Sequence, residues 1–310
     1  MTKRCQPAGG GVKRHVRVEN AGVDVRVVLS AVNNEIGDRW QLERRLAGGL
    51  NEGAYLLSRP DGSRAVLKWR ASEPERLLGA RERVEAARAR GWPAPAWLAA
   101  GRAPAGGAWV VQEFIDGRPP PQLNDLVAEQ MIEILDLQAS MFPAAAGGWG
   151  QWAWGVVFED WHDLRDRVRS GVPGGRQVVA AVDAIARACS PEPLSSRDLV
   201  HGNFNLANTI ATPGRLWVVD VEALGAGPRA YDLAEVLLVA VGEGQVTESA
   251  AARLWGYGAG LDRRALAICA GSVGLTMADA FARHDRTDEG AAAVPGMVRA
   301  LEQALALAGA

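Results

Sequence analysis

The sequence predicts an α+β protein whose strands come first and whose helices fill the rest. Two observations carry this. Between residues 40 and 117, short apolar runs are separated by turn formers, a Gly-rich stretch at 47–53 and Pro60-Asp61-Gly62, the pattern of antiparallel hairpins. From about Asn124 onward, apolar residues recur at three- and four-residue spacing between Gly-rich or Asp-rich stops, the pattern of packed helices. A third observation fits neither. Leu199-Val200-His201-Gly202-Asn203-Phe204-Asn205-Leu206-Ala207-Asn208-Thr209-Ile210 begins apolar, turns polar, and becomes apolar again. It reads as a loop held between buried elements.

Composition narrows the function classes. The chain has 310 residues, enough for two lobes with sizeable cores. A formal net charge of −2 suits neither a nucleic acid nor an anionic membrane as partner. Hydrophobic residues make up 48%, as in globular proteins. No uncharged apolar run reaches the roughly 18 residues that signal a membrane span. The start Met1-Thr2-Lys3-Arg4 is basic, but no apolar signal core follows it. Cys5, Cys189 and Cys269 are widely spaced, which fits free thiols in a reducing cytoplasm and no metal-ligand pattern.

The N-terminal third divides as follows. Residues 1–14 are Gly-rich and basic, and read as disordered. Residues 15–29 alternate around Asn20-Ala21-Gly22, which reads as two short strands within an extension spanning 1–37; His15 is a bystander there. Residues 40–46 read as a strand, 54–57 as a second, and Arg64-Ala65-Val66-Leu67-Lys68-Trp69 as a third. Between the first two, the turn holding Gly49 and Asn51 lets backbone N–H groups approach an anion. Residues 73–90 are rich in good helix formers, with Leu77, Leu78, Arg81, Val84 and Arg88 at helical spacing, and Gly91-Trp92-Pro93 as the stop. An apolar run from Ala108 through Ile115 reads as a further strand.

Pro119-Pro120-Pro121 stiffens the connection to the helical part. The next helix starts near Asn124 and places Leu123, Val127, Met131, Ile134 and Leu135 on a core face. After a small-residue stretch at 144–150, Trp149, Trp152, Trp154 and Trp161 fall within thirteen residues, among Glu159, Asp160, His162 and Asp163. Indoles wall pockets for sugar rings, flat heterocycles or cations, and the carboxylates favour an amine-bearing ligand. The same indoles equally suit packing of a helix on the core. An amphipathic helix covers 176–189, and helices fill 232–309 with breaks at 242–244, 258–260 and 285–290. Asp279, Asp285, Asp288 and Glu289 either line a cleft for a cation or face solvent.

The block from 199 to 234 carries the chemistry. Asn208 follows Asn203 by five residues, Asp220 closes the apolar run 216–219, and Glu222 stands two residues on. If that strand continued, Asp220 and Glu222 would share a face. An amide oxygen and a carboxylate are hard ligands of the kind Mg²⁺ takes, usually one or two from the protein with phosphates and water. Tyr231-Asp232-Leu233-Ala234 then opens a buried helix.

These three blocks, in this order and spacing, resemble the aminoglycoside phosphotransferase family, relatives of the protein kinases. The family pattern is His-Gly-Asp-x-x-x-x-Asn, then Asp-x-(Asp/Glu), then Asp-Leu-Ala, and the likeness covers about residues 40–310. It implies a two-lobed protein-kinase-like fold, with an N-lobe at 38–116 holding an antiparallel sheet and a mainly helical C-lobe at 117–310. It implies a further strand near 96–100. It implies ATP or GTP as phosphate donor, Mg²⁺ on Asn208 and Asp220, and transfer to a small-molecule hydroxyl, most often of a cationic antibiotic. Lys68 matches the lysine that touches the phosphates and pairs with a helix glutamate, for which Glu82 is favoured and Glu85 and Glu75 stay open. Gly49, Asn51 and the hinge residues Gln112, Glu113, Phe114 and Ile115 fall where the family holds nucleotide. Trp152, Trp154, Trp161, Glu159 and Asp160 fall where it holds the acceptor, and Asp232 where an aspartate braces the loop.

One position departs from the pattern. Where the family carries its catalytic aspartate, this chain has Asn203. An amide is nearly isosteric with a carboxylate but neither takes a proton nor balances charge in the same way. Three readings stay open: a deliberately disabled variant, a lineage using another base (Glu222 is nearest) or none, and a nucleotide-binding relative that transfers nothing. A kinase of a sugar, amino alcohol or biosynthetic intermediate remains an alternative. A protein kinase is disfavoured, because 220–232 leaves no room for an extended activation segment.

Overall fold

The computed structural model describes residues 24–46, 53–71, 74–103, 106–142 and 148–309. The described chain divides into two compact units, one made of residues up to Gly117 with Trp217–Ala223, the other of Arg118–Leu216 and Leu224 onward.

The smaller unit is built on a five-stranded antiparallel sheet in the order β1-β2-β3-β5-β4. Its strands are β1 (Gln41–Arg45), β2 (Ala54–Ser58), β3 (Arg64–Arg70), β4 (Trp97–Arg102) and β5 (Ala108–Glu113). Central β3 pairs Lys68 with Ala54 of β2 on one side and Val110 of β5 on the other. Helix α2 (Pro74–Ala89) buries Leu77, Ala80, Val84 and Ala87, a stripe at three- and four-residue spacing.

The extension differs from expectation. Val25–Ile36 is a helix, α1, not a strand. Its period settles the matter: Val25, Val28, Leu29, Val32 and Ile36 lie on one face, and the alternation at 25–27 is only its first turn. Asp24 caps it by accepting from Arg26 N, and Gly37 ends it at φ +66°. Asn33 then clamps Trp40, accepting from its N–H at 2.9 Å and donating to its carbonyl at 2.8 Å. Val28, Leu29 and Val32 join Trp40, Leu57, Leu67 and Trp109 in one apolar cluster. Residues 25–36 are therefore part of the small unit's core rather than an appendage. The strand expected over residues 15–23 lies outside the described residues.

The larger unit is helical. It comprises α3 (Asp125–Leu137), α4 (Gly148–Phe158), α5 (Leu164–Gly171), α6 (Gly175–Ala188), α7 (Ala230–Gly242), α8 (Glu248–Ala259), α9 (Arg263–Arg283) and α10 (Thr287–Gly309). Short strands β6 (Asp198–Val200) and β9 (Gly225–Gly227) pair antiparallel, and β7 (Thr209–Thr212) pairs with β8 (Arg215–Val218). Asn124 caps α3, and Val127, Met131, Ile134 and Leu135 are buried as expected. Helix α9 packs against α4, α5, α6, α7 and α10. It is long and apolar enough to cross a membrane, yet most of it is buried inside the unit. Glycines make that packing close: Gly271 lies against Val157 and Val182, and Gly274 against Leu301 and Leu238. Asp279 on α9 is 2% exposed and ion-paired with Arg167 and Arg283 at 2.7 Å each. It holds helices together and does not face a cleft.

Candidate active site

In the smaller unit, β3 carries Lys68 between buried Leu67 and Trp69. The strand β8 ends at Val218, whose N–H donates to Pro93 O at 2.8 Å. The expected continuation through Asp220 does not occur. Asp220 sits at φ +64°, in the left-handed region, and Val221–Ala223 form a helical turn packed on α2. A reversal of this kind turns both carboxylates toward the lysine, which a continued strand offers only by alternation. Lys68 Nζ reaches Asp220 Oδ1 and Glu222 Oε1 at 3.0 Å each. Glu222 Oε2 faces Arg70 Nη2 at 3.8 Å, an ion pair too long for a hydrogen bond.

The lysine's partner thus corrects the sequence expectation. Glu82 is exposed on α2, two positions past the buried Ala80. Glu85 pairs with Arg81 at 3.0 Å, and Glu75 with Arg102. The buried stripe of α2 carries no carboxylate, and Glu222, 4% exposed, stands beside Lys68 instead. Burial alone would lower the Lys68 pKa, but Glu222 and Asp220 outweigh it and hold the ammonium above its ordinary value. The Lys68 ammonium in turn holds the Asp220 carboxyl well below the usual carboxylate range against its own burial. Both groups are charged throughout the physiological range.

The hinge residues close the sheet. Gln112 pairs with Val66 and Trp97 across the ladder and is buried. Glu113 ends β5, its N–H donating to Ala96 O at 2.8 Å and its Oε2 accepting from Ala96 N at 3.1 Å. Phe114 and Ile115 follow beyond the strand, with the Arg64 guanidinium 5.6 Å from the Phe114 ring. Gly49 and Asn51 lie outside the described residues.

In the larger unit, the loop after β6 is fixed from behind. Asp232, in the first turn of α7 and fully buried, accepts from His201 N at 2.7 Å, Gly202 N at 2.9 Å and Gln138 Nε2 at 2.7 Å. Burial pushes its carboxyl up from the ordinary value, while His201 and the N–H donors pull it back. Gln138 was invisible as a partner, being 94 residues away; its one signal is a polar residue continuing the buried face of Ile134 and Leu135.

The front of the loop is made of amides. Asn203 is exposed, and its Oδ1 accepts from Asn205 Nδ2 at 2.8 Å. Asn208 Nδ2 donates to Asn203 O at 2.8 Å. This orients the Asn208 amide, leaving Oδ1 as the end available to a cation. That amide oxygen and, in the smaller unit, the ionised Asp220 carboxylate are each of the hard-oxygen type that Mg²⁺ takes. Among the described residues, no group of three His, Cys, Asp or Glu side chains is placed to hold an ion alone.

The acceptor candidates are largely engaged with one another. Trp152 is 8% exposed and packs in the core, its ring 6.3 Å from that of Trp161. Trp161 donates to Glu159 Oε2 at 2.8 Å and lies on Gly155. Trp154 donates to Pro191 O at 2.8 Å. Asp160 accepts from Arg165 at 3.2 Å. Asp160, His162 and Asp163 all have positive φ, so this turn is strained.

Comparison with known proteins adds to this geometry. The profile of a family described as "Phosphotransferase enzyme family" (APH) matches residues 43–267. Among curated proteins, none matches the sequence. The crystal structure of aminoglycoside phosphotransferase APH(4)-Ia is similar with a TM-score of 0.66 at 15% identity, covering 90% of this chain and 99% of that one. A thermostable mutant of that enzyme, in ternary complex with ADP and hygromycin B, gives a TM-score of 0.63 at 16% identity, over 88% of this chain and 97% of that one. APH(3'')-Id from Streptomyces rimosus, in complex with ADP and streptomycin, gives 0.54 at 18% identity, over 82% and 99%.

Proposed function

Because the chain belongs to the APH phosphotransferase enzyme family, we propose that it moves the γ-phosphate of ATP or GTP to a hydroxyl of a small cationic antibiotic. The observation that carries this reading is the Lys68–Asp220–Glu222 cluster. It provides one ammonium for phosphate oxygens and one ionised carboxylate for Mg²⁺, the two charges that phosphoryl transfer most needs. The metal, when bound, neutralises charge on the phosphates. Asn208 Oδ1 and Asp220 would hold it, and Lys68, released from Asp220, would meet the phosphates while Glu222 keeps it oriented. Similarity to enzymes seen with hygromycin B and streptomycin supports an aminoglycoside-like acceptor. Two buried thiols, Cys189 and Cys269, suit a reducing cytoplasm.

A second reading has its own observation. With Oδ1 taken by Asn205, Asn203 turns the N–H₂ end of its amide away from that bond. A donor there fits holding an acceptor hydroxyl and does not fit removing its proton, which favours a nucleotide- and ligand-binding protein with little turnover. Positioned general-base catalysis contributes about 10² to 10⁴ in rate. The test measures Mg²⁺-dependent transfer from ATP and GTP to hygromycin B, streptomycin and simple sugars, for the native chain beside Asn203→Asp. A gain of about 10² or more in Asn203→Asp supports the phosphotransferase layout. Equal turnover moves the base elsewhere, with Glu222 the next residue to change. Nucleotide binding without turnover in either chain favours the second reading.

A further inference from the structure

Gly202, next to Asn203, is held from two sides. Its N–H donates to Asp232 Oδ1 at 2.9 Å. Against its α-carbon lies Trp149: a β-carbon at Gly202 would fall inside the six-membered edge of the indole. Gly202 stands at φ +78°, a conformation that L-residues with a side chain rarely adopt. Residue type and neighbour therefore agree that this position must be glycine.

The indole is itself fixed in depth. Its ring meets that of buried Tyr231, adjacent to Asp232, with centroids 4.9 Å apart and planes tilted 41°. The backbone on either side of Trp149 is seated without side chains. A β-carbon at Gly148 would strike Ala226 O, and one at Gly150 would press on Ser195 O at 3.2 Å and Pro228 Cδ at 3.3 Å. Gly148-Trp149-Gly150 is thus a close-fitting first turn of α4, docked on β9 and presenting one indole to the loop.

We propose that Trp149 is a positioning residue: it holds Gly202 in its left-handed conformation and so aims the side chain of Asn203. Because α4 continues into Trp154 and the strained turn at 160–163, the indole also ties that segment to the loop. For the activity measurement, the proposal rests on the phosphotransferase reading; for the exchange measurement it does not.

The experiment compares Trp149→Ala, Trp149→Phe and Trp154→Ala by hydrogen–deuterium exchange over residues 199–208, referred to exchange in α9. Trp149→Ala is expected to speed loop exchange tenfold or more relative to α9, Trp149→Phe by less than threefold, and Trp154→Ala not at all. In whichever of the native and Asn203→Asp chains turns over, Trp149→Ala should lower kcat at least tenfold with nucleotide KM within threefold. Loop and α9 exchange rising together, or kcat preserved per folded molecule, overturns the proposal. If neither chain turns over, the phosphotransferase reading fails and loop exchange alone decides this one. Should Trp149→Ala not fold, Trp149→Leu carries the same expectation, since it keeps bulk without the flat face.

Discussion

In the smaller unit, Lys68 bridges Asp220 and Glu222 at 3.0 Å each, and Arg70 stands 3.8 Å from Glu222. In the larger unit, the loop at Asn203 presents three asparagine amides, and its one carboxylate, Asp232, is hidden behind the backbone. The functions asked of charge differ in the same way. Holding phosphate and metal needs ions, and the ions are there. Handling an acceptor proton needs a base, and the loop offers an amide. Under the phosphotransferase reading proposed above, holding nucleotide and metal rests on one set of residues and proton handling on another, and only the second departs from the family pattern, at Asn203.

The largest effect should come from the hidden charge. Asp232→Ala strips the acceptor from three buried N–H donors, at about 1–3 kcal/mol each when left unpaired. A loss of about 4 kcal/mol in unfolding free energy from chemical denaturation is expected, and a loss under about 1 would mean the loop holds itself without it. Next comes the ionic side of the comparison. Lys68→Met leaves Glu222 buried with only the long Arg70 contact, and should cost about 3 kcal/mol. Lys68→Met/Glu222→Gln should recover most of that stability while nucleotide affinity stays lost. If the double variant is no more stable than the single, Glu222 is not the lysine's essential partner.

The pH dependence of the two units should also diverge. Asp220 contributes stability that is complete above its ordinary value of 3.8 and lost as pH falls below it. Lys68 contributes stability that is complete below its ordinary 10.5 and lost as pH rises through its higher folded value. The larger unit behaves otherwise through Glu235 of α7. Burial, then the nearby Asp232 carboxylate, pushes its carboxyl up to about 8. A raised folded pKa means stability is complete below 4.5 and declines as pH climbs to about 8. Glu235→Gln should flatten Tm between those values, and a Tm profile parallel to the native one would show Glu235 already ionised. The smallest effect belongs to Glu82→Gln, within about 0.5 kcal/mol as for ordinary exposed positions, with nucleotide affinity unchanged. A tenfold affinity loss there would return the lysine's partnership to α2.

Much of this was legible in the residues. The α+β order, β3 with Lys68, the core face of α3 and the helices after 230 follow from turn formers and apolar period, which are local signals. The loop was visible as a polar stretch between apolar runs, and the bracing by Asp232 was what the family resemblance implied. Three features were not legible, each for a physical reason. The partner of Lys68 depends on the left-handed turn at Asp220, and a non-glycine residue at positive φ has no composition signal. Gln138 and Trp149 act through contacts across tens of residues in sequence. Helix α1 was hidden because the alternation of its first residues, Val25-Arg26-Val27, imitates a strand, and only the full twelve residues reveal the longer period.

That helix has a consequence for how such chains are delimited. The family match begins at residue 43, yet Val28, Leu29 and Val32 are 7% exposed or less, inside the cluster that backs the sheet. The span of the family match and the span of the folded core therefore have different borders in this molecule. A version cut to the region of common descent would open an apolar face on Leu57, Leu67 and Trp109, and should collect in inclusion bodies while the version starting at Asp24 stays in solution. What resembles a lineage's ornament is, in mechanical terms, the back wall of the smaller unit.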